Sequence, residues 1–368
     1  MGLREEARAW LEEALSGEFA HARGLGGPGR EHEGFEVRRA WERHLGKAGW
    51  TCLGWPVEYG GRAASLADQV AFHEEYARAD APARVGHIGE NLLGPTLLDH
   101  GTEEQRRRFL PPIQRGEELW CQGYSEPEAG SDLANVQTRA VLDGSDWVVT
   151  GQKVWTSLAH VADWIFVLCR TEPGSTRHRG LSYLLVPMDR PGVEVRPIVQ
   201  LTGTSEFNEV FFDGARTDAA NIVGAPGEGW KIAMATLGYE RGVSTLGQQI
   251  GFRRELDKVV AKARETGAFE DPVLRDRLVR SWLELEIMRY TALRDPQSPI
   301  TKLYWSEWHR RLGELAQAVQ GKAGLVAEGG ELNELQRLYL FSRADTIYAG
   351  SSEIQRTLIA ERVLGLPK

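Results

Sequence analysis

Asp345-Thr346-Ile347-Tyr348-Ala349-Gly350-Ser351-Ser352-Glu353-Ile354-Gln355-Arg356, near the C-terminus, contains the start of a helix. Ser352 with Gln355 three residues on has the form of a capping box, and Gly365 is placed to end the helix it starts. Tyr348-Ala349-Gly350 directly precedes that helix. The alanine at its centre can act neither as an acid nor as a base.

Upstream of this stretch the pattern is helical back to Gly224-Ala225-Pro226-Gly227-Glu228-Gly229, with Pro272, Pro296 and Pro299 marking breaks between helices. From about residue 117 to that glycine-rich stretch the texture differs. Ala140-Val141-Leu142, Trp147 to Thr150, Trp164 to Cys169, Leu181 to Val186 and Glu209 to Phe212 are short β-rich runs punctuated by Gly, Pro, Asp and Asn. Such runs predict a sandwich or barrel of antiparallel strands. Before them, residues 3–23, 34–47, 65–79, 91–99 and 102–115 read as helices, the third entered through Ser65. The last is capped by Thr102, with Glu103 and Glu104 in its first turn. The expectation is an α+β multidomain chain: an all-α domain at 1–116, a β-domain at 117–226 and a helical bundle at 227–368.

The totals bound the function. The chain has 368 residues, 42% hydrophobic and 26% charged, and a net charge of −8, which argues against a nucleic-acid binder. Cys52, Cys121 and Cys169 are far apart and show neither a zinc pattern nor a disulfide framework, which fits a reducing cytoplasm. The acidic opening Met1-Gly2-Leu3-Arg4-Glu5-Glu6 lacks a signal-peptide core. No apolar run approaches the roughly 18 residues of a membrane span. A soluble cytoplasmic protein is expected. Gly24-Leu25-Gly26-Gly27-Pro28-Gly29 follows no strand and reads as a loop rather than a nucleotide cradle. His73-Glu74-Glu75 lacks a second histidine and reads as a solvated or partly buried helix face.

Three segments could carry chemistry. In Cys121-Gln122-Gly123-Tyr124-Ser125-Glu126-Pro127-Glu128-Ala129-Gly130-Ser131-Asp132, proline and glycine force an irregular backbone that frees amides and the Ser125 and Ser131 hydroxyls. A surface turn and a ligand loop both fit it. Gly151-Gln152-Lys153-Val154-Trp155-Thr156-Ser157 follows a strand, and Trp155 could cover a planar heterocycle beside the Thr156 and Ser157 hydroxyls, or could be a core aromatic. Glu240-Arg241 lies in a helical pattern that also contains Gly238, Gly242, Gly247 and Gly251. Each interior glycine costs about 0.5–1 kcal/mol, so four of them point to a close approach by another helix or a ligand. Glu240 itself could be a plain surface glutamate or a catalytic carboxylate.

Taken in order, these segments are similar to the acyl-CoA dehydrogenase family over nearly the whole chain. The resemblance also rests on Gly54-Trp55-Pro56-Val57-Glu58-Tyr59-Gly60-Gly61, Gly101-Thr102-Glu103-Glu104-Gln105, Gln200 to Phe212 and Ile347 to Pro367. It implies an N-terminal helical domain, a middle β-domain, a C-terminal four-helix domain, and FAD. By family position Tyr124, Ser125, Gly130, Ser131, Trp155, Ser157, Gly350 and Ser351 would meet the cofactor, and Ser131 and Arg241 the substrate.

The implied reaction removes the α-proton of an acyl-CoA thioester while a hydride leaves the β-carbon, giving a trans-2-enoyl-CoA, as in fatty acid β-oxidation. Electrons would pass to an electron-transfer flavoprotein. Many relatives carry the base where this chain has Ala349, whereas others carry it on the helix matched by Glu240-Arg241, so the resemblance implies Glu240 as the base. The region 263–272 lacks the relatives' Arg-x-x-Phe-Gly pattern, and Gln317 is displaced by one position from a further motif. These departures resemble a bacterial subgroup with bulky substrates and, in some members, mixed tetramers. The implied assembly is a homotetramer or dimer, or a mixed tetramer. A non-catalytic or FAD-sharing subunit and a flavin oxidase or monooxygenase stand as alternatives.

Overall fold

A computed structural model describes residues 2–27, 29–239, 244–294 and 299–367. Its helices are α1 (Leu3–Ala14), α2 (Phe35–Lys47), α3 (Leu66–Arg78), α4 (Gly94–His100), α5 (Glu103–Gln114), α6 (Gly229–Tyr239), α7 (Ser244–Glu265), α8 (Pro272–Arg294), α9 (Pro299–Gln320), α10 (Glu334–Phe341) and α11 (Ser352–Leu358). Between α5 and α6 run β1 (Trp120–Gly123), β2 (Arg139–Asp143), β3 (Asp146–Ser157), β4 (Trp164–Arg170), β5 (Leu181–Pro187), β6 (Val193–Ile198), β7 (Phe207–Asp218) and β8 (Ile222–Val223). The chain divides into two compact units: residues 16–69 with 82–240, and residues 1–15, 70–81 and 241–368.

The first unit is built on one eight-stranded sheet in the order β6-β7-β3-β2-β4-β5-β8, with β1 added on β4. Most pairings are antiparallel, as the short punctuated runs predict, but β1 and β2 each pair with β4 in parallel. β5 is buried at every position and β4 at all but its ends, so these strands read as continuous apolar runs rather than alternating ones. β6 alternates between half-buried and exposed positions, too weak a pattern to be legible beforehand, and β1 and β8 are too short. α5 starts on the Thr102/Gln105 capping box, in which each residue's side chain bonds the other's backbone N–H. The start of α6 presses against β5: a Cβ on Gly229 would lie 2.5 Å from the Ser182 backbone, so only glycine fits there. The core runs from Trp55, Leu93 and Leu97 through Trp120, Phe166 and Tyr183 to Ile232 and Ala233.

The second unit is a helical bundle. Phe252, Leu256 and Val259 of α7, Leu278, Leu285 and Met288 of α8, and Trp305, Trp308, Leu312 and Leu315 of α9 close its core at helical spacing. α1 is shorter than the expected 3–23 helix. It ends at Ala14, and a separate 3-10 turn at Ala20–Ala22 follows. Arg4 and Arg8 of α1 bond Glu74 and Glu75, which are largely buried on α3. The 91–99 helix likewise divides into a π-turn over Gly89–Leu93 and α4. Pro272 and Pro299 each open a helix, where the missing N–H costs nothing. No helix of the described residues is long and apolar enough to cross a membrane.

Candidate active site

In the sheet unit two sequence-distant segments are stapled together by a buried ion pair. Lys153 of β3 is fully buried, and its ammonium donates to Glu126 Oε1 at 2.7 Å, Leu168 O at 2.8 Å and Tyr124 O at 3.1 Å. The Glu126 carboxylate also accepts from the amides of Gln137 at 2.5 Å and Thr138 at 2.9 Å. Burial would raise the Glu126 pKa, but the Lys153 charge and the Gln137 amide outweigh it and hold the carboxylate below its ordinary value. Burial lowers Lys153, against the pull of Glu126. Neither residue stood out as a site residue. The available signal was Lys153 itself, a charge on the buried phase of a strand, which demands a buried partner.

Just beyond Lys153 the strand bulges. Gly151 to Ser157 does not follow a strand; it is the second half of β3. The pairing of β3 with β7 shifts register between Lys153 and Thr156, and the freed Val154 amide turns to Ser125 O at 2.9 Å. Trp155 sits in this bulge at φ 61°, a strained position for a bulky residue, with 58% of its surface exposed and, among the described residues, Phe207 as its one aromatic neighbour, edge-on to its ring. It is not a core aromatic. Ser125 and Ser157 are half-buried, Gly130 and Ser131 exposed, and among the described residues the hydroxyls of Ser125, Ser131 and Ser157 have no partner within the chain. The Tyr124 ring is buried edge-on against Phe166 and Tyr183, so Tyr124 can meet a ligand only through its backbone. An exposed planar ring beside unspent hydroxyls and an irregular backbone fits a flat heterocycle with a polar edge, such as the isoalloxazine of FAD.

The helical unit carries the turn. Ala349 has φ 52° and Gly350 φ 86°, and a Cβ on Gly350 would come within 2.6 Å of Gln355 Nε2. That nitrogen donates to Ala349 O at 3.0 Å, pulling the turn onto the helix that follows. The cap of α11 is Ser351, which accepts from the Ile354 amide at 3.3 Å, and not Ser352 as its spacing to Gln355 implied. Ser352 instead bonds Glu307 of α9 at 3.0 Å. Gly350 and Ser351 are half-buried at the head of α11.

Glu240 and Arg241 lie outside the described residues. α6 ends immediately before them at Tyr239, whose hydroxyl donates to Asp99. Among the described residues, and leaving aside the local helix backbone, no atom lies within 4 Å of a Cβ built on Gly238 or Gly251.

Three family models match the chain. Residues 2–117 match the N-terminal domain of acyl-CoA dehydrogenases, residues 121–215 the middle domain and residues 227–364 the C-terminal domain. Acyl-CoA dehydrogenase IpdE1 of Mycobacterium tuberculosis is 64% identical over 374 residues, covering 99% of this chain and 97% of the relative. The solved structure titled Tcur3481-Tcur3483 steroid ACAD superposes with a TM-score of 0.84 at 33% identity, covering 100% of this chain and 97% of the other. The ChsE4-ChsE5 complex from Mycobacterium tuberculosis gives 0.80 at 31% identity, covering 100% and 97%. The chain is an enzyme and belongs to the acyl-CoA dehydrogenase family, whose members are FAD-dependent flavoproteins.

Proposed function

We propose that this enzyme binds FAD and dehydrogenates the α,β bond of an acyl-CoA thioester, with Glu240 as the base. The observation that carries the reading is Trp155, a large ring fixed at a strained φ and left exposed in the bulge whose Val154 amide bonds Ser125 O, two residues before the Ser157 hydroxyl, which is unpartnered among the described residues. In this reading Tyr124 (through its backbone), Ser125, Gly130, Ser131, Trp155, Ser157, Gly350 and Ser351 hold the cofactor. When bound, FAD supplies the acceptor for the hydride leaving the β-carbon. Glu240 removes the α-proton, its pKa raised toward neutrality as the acyl chain displaces water. Arg241 and Ser131 orient the substrate. Ala349 leaves room at the position where a carboxylate would otherwise stand.

The functional division follows the boundaries 1–116, 117–226 and 227–368. A bulky, ring-bearing acyl group is the substrate class this reading favours, because similar solved structures are titled steroid ACADs. A mixed assembly with a second chain is the matching oligomer, since another similar structure is titled as a complex of two proteins. Electrons then leave to an electron-transfer flavoprotein. The test is anaerobic bleaching of the flavin absorbance by a panel of acyl-CoAs differing in length, branching and ring content. Bleaching by ring-bearing acyl-CoAs in the wild type, and its loss in Glu240→Gln with FAD retained, is the expected result. A protein that purifies without flavin, or a Glu240→Gln variant that is reduced at the wild-type rate, overturns it.

A further inference from the structure

The helical unit contains a buried charge cluster that the reading above leaves unused. His309 of α9 is 3% exposed. Its Nδ1 lies 2.5 Å from Asp345 Oδ2 and its Nε2 2.8 Å from Glu255 Oε2. An ionised carboxylate accepts and cannot donate, so an imidazole bonded to one at each nitrogen must donate from both. The ring is therefore an imidazolium. Burial works against that charge, but the Glu255 charge and the Asp345 hydrogen bond outweigh it and raise the pKa to about 10. Phe252 packs on the ring, its centroid 4.6 Å away.

Each carboxylate belongs to a different part of the unit. Glu255 is on α7, the helix that follows the Glu240-Arg241 segment in sequence. Asp345 is buried four residues before Ala349, and two further contacts hold it: the Tyr348 hydroxyl donates to Oδ1 at 2.6 Å, and the buried Lys302 ammonium donates to its carbonyl at 2.7 Å. Buried ion pairs are a poor route to stability, because apolar residues of similar volume often do as well or better. What such a cluster adds is geometry: three charged groups with directional bonds permit one arrangement of the segments that carry them. Downstream of Asp345 the chain enters the left-handed turn at Ala349-Gly350, a conformation that persists only where its surroundings hold it.

We propose that His309 is a positioning residue that ties the turn-bearing segment 345–351 to α7, and so fixes the turn at Ala349-Gly350 relative to the helix next to Glu240. Its importance for catalysis rests on the function proposed above, whereas the tie itself does not. His309 touches no reacting atom in this scheme; it acts through Asp345 and Glu255.

The test compares His309→Gln, which keeps the shape but can bond only one carboxylate well, with Leu312→Ala, which empties volume in the same core. Amide hydrogen exchange is followed by mass spectrometry on the purified protein, and flavin reduction by rapid mixing with the best acyl-CoA. In His309→Gln, amides 345–351 should exchange about tenfold or more faster while those of α9 keep wild-type rates. Flavin reduction should slow about tenfold or more, with acyl-CoA affinity within about twofold, as expected for misplaced rather than missing groups. Leu312→Ala should lower the unfolding temperature without either signature. Should His309→Gln not fold, Glu255→Leu, at a partly exposed position, should loosen 345–351 in the same way. Wild-type exchange over 345–351 in the folded variant, or the same loosening in Leu312→Ala, overturns the proposal. A wild-type protein that never bleaches would defeat the proposed function and leave the exchange result standing.

Discussion

The Lys153 ammonium and the Glu126 carboxylate lie 2.7 Å apart in a place that water barely reaches. Their pairing joins the 124–132 loop to the bulged strand that carries Trp155, so the two segments assigned to the cofactor in the proposed function are tied together. Removing one partner leaves a buried, uncompensated charge. Lys153→Met should cost roughly 3–5 kcal/mol and lower the flavin content of purified protein. Glu126→Leu with Lys153→Met should recover much of the stability, because no charge is then stranded. Thermal unfolding and the ratio of flavin to protein absorbance check both statements. Equal losses in the single and double variants would show that the pair does not act as a staple.

Ala349 differs from a family-type glutamate in chemistry, but its backbone is the more informative feature. At φ 52° a residue with a Cβ bears roughly 1–2 kcal/mol that glycine does not. Ala349→Gly relieves that strain and gives back part of it as unfolded-chain entropy. The variant should match the wild type in stability within about 1 kcal/mol and should keep its turnover, since no proton passes through position 349. Glu240→Gln should lose ~10²–10⁴-fold in flavin reduction. Stopped-flow reduction of the two variants side by side gives opposite outcomes if Glu240 is the base, and an inactive Ala349→Gly argues that it is not.

Trp155 offers a test of ligand role against fold role. Its ring is mostly exposed, and Phe207 is its one aromatic neighbour among the described residues. Surface substitutions of this kind usually move stability by about 0.5 kcal/mol or less. Trp155→Ala should therefore leave the unfolding temperature of flavin-free protein nearly unchanged while FAD is lost on gel filtration. A large drop in the flavin-free unfolding temperature would show instead that Trp155 serves the core.

The sequence carried the architecture more clearly than the site. Val- and Leu-rich runs such as Leu181 to Val186 announce buried strands because both faces need apolar residues, and Thr102 announces a helix start because its side chain has one obvious amide to bond. β6 escaped because its Val193 and Val195 are only half-buried and alternate with charges. Ser351 rather than Ser352 caps α11 because Glu307, 45 positions away in the chain, captures the Ser352 hydroxyl, and no local pattern contains that partner. The same reason hid His309. A lone histidine among Trp305, Trp308 and Leu312 reads as part of an apolar face, and its two carboxylates come from positions 54 residues before it and 36 after. Trp155 was legible as an aromatic beside hydroxyls, but its exposure depends on a bulge set by pairing with β7.

Glu31 and Glu206 give a prediction in pH. Each has a buried Oε2 with no hydrogen-bond donor to it among the described residues, and the two side chains face each other, which two carboxylates can do only by sharing a proton. Burial first, and Glu206 second, raise the Glu31 pKa to about 9. Folded Glu31 therefore binds a proton that the unfolded chain, with an ordinary carboxyl, has released over much of that range. Stability from this site is complete below the unfolded pKa and falls as pH rises from there toward 9. Glu31→Gln keeps the hydrogen bond without needing the proton. It should unfold a few degrees higher than the wild type at pH 8.5, with the gap closing as pH is lowered to 5. Thermal melts of the two proteins across that range measure it directly, and a gap that is absent or independent of pH would mean that the two carboxylates do not share a proton.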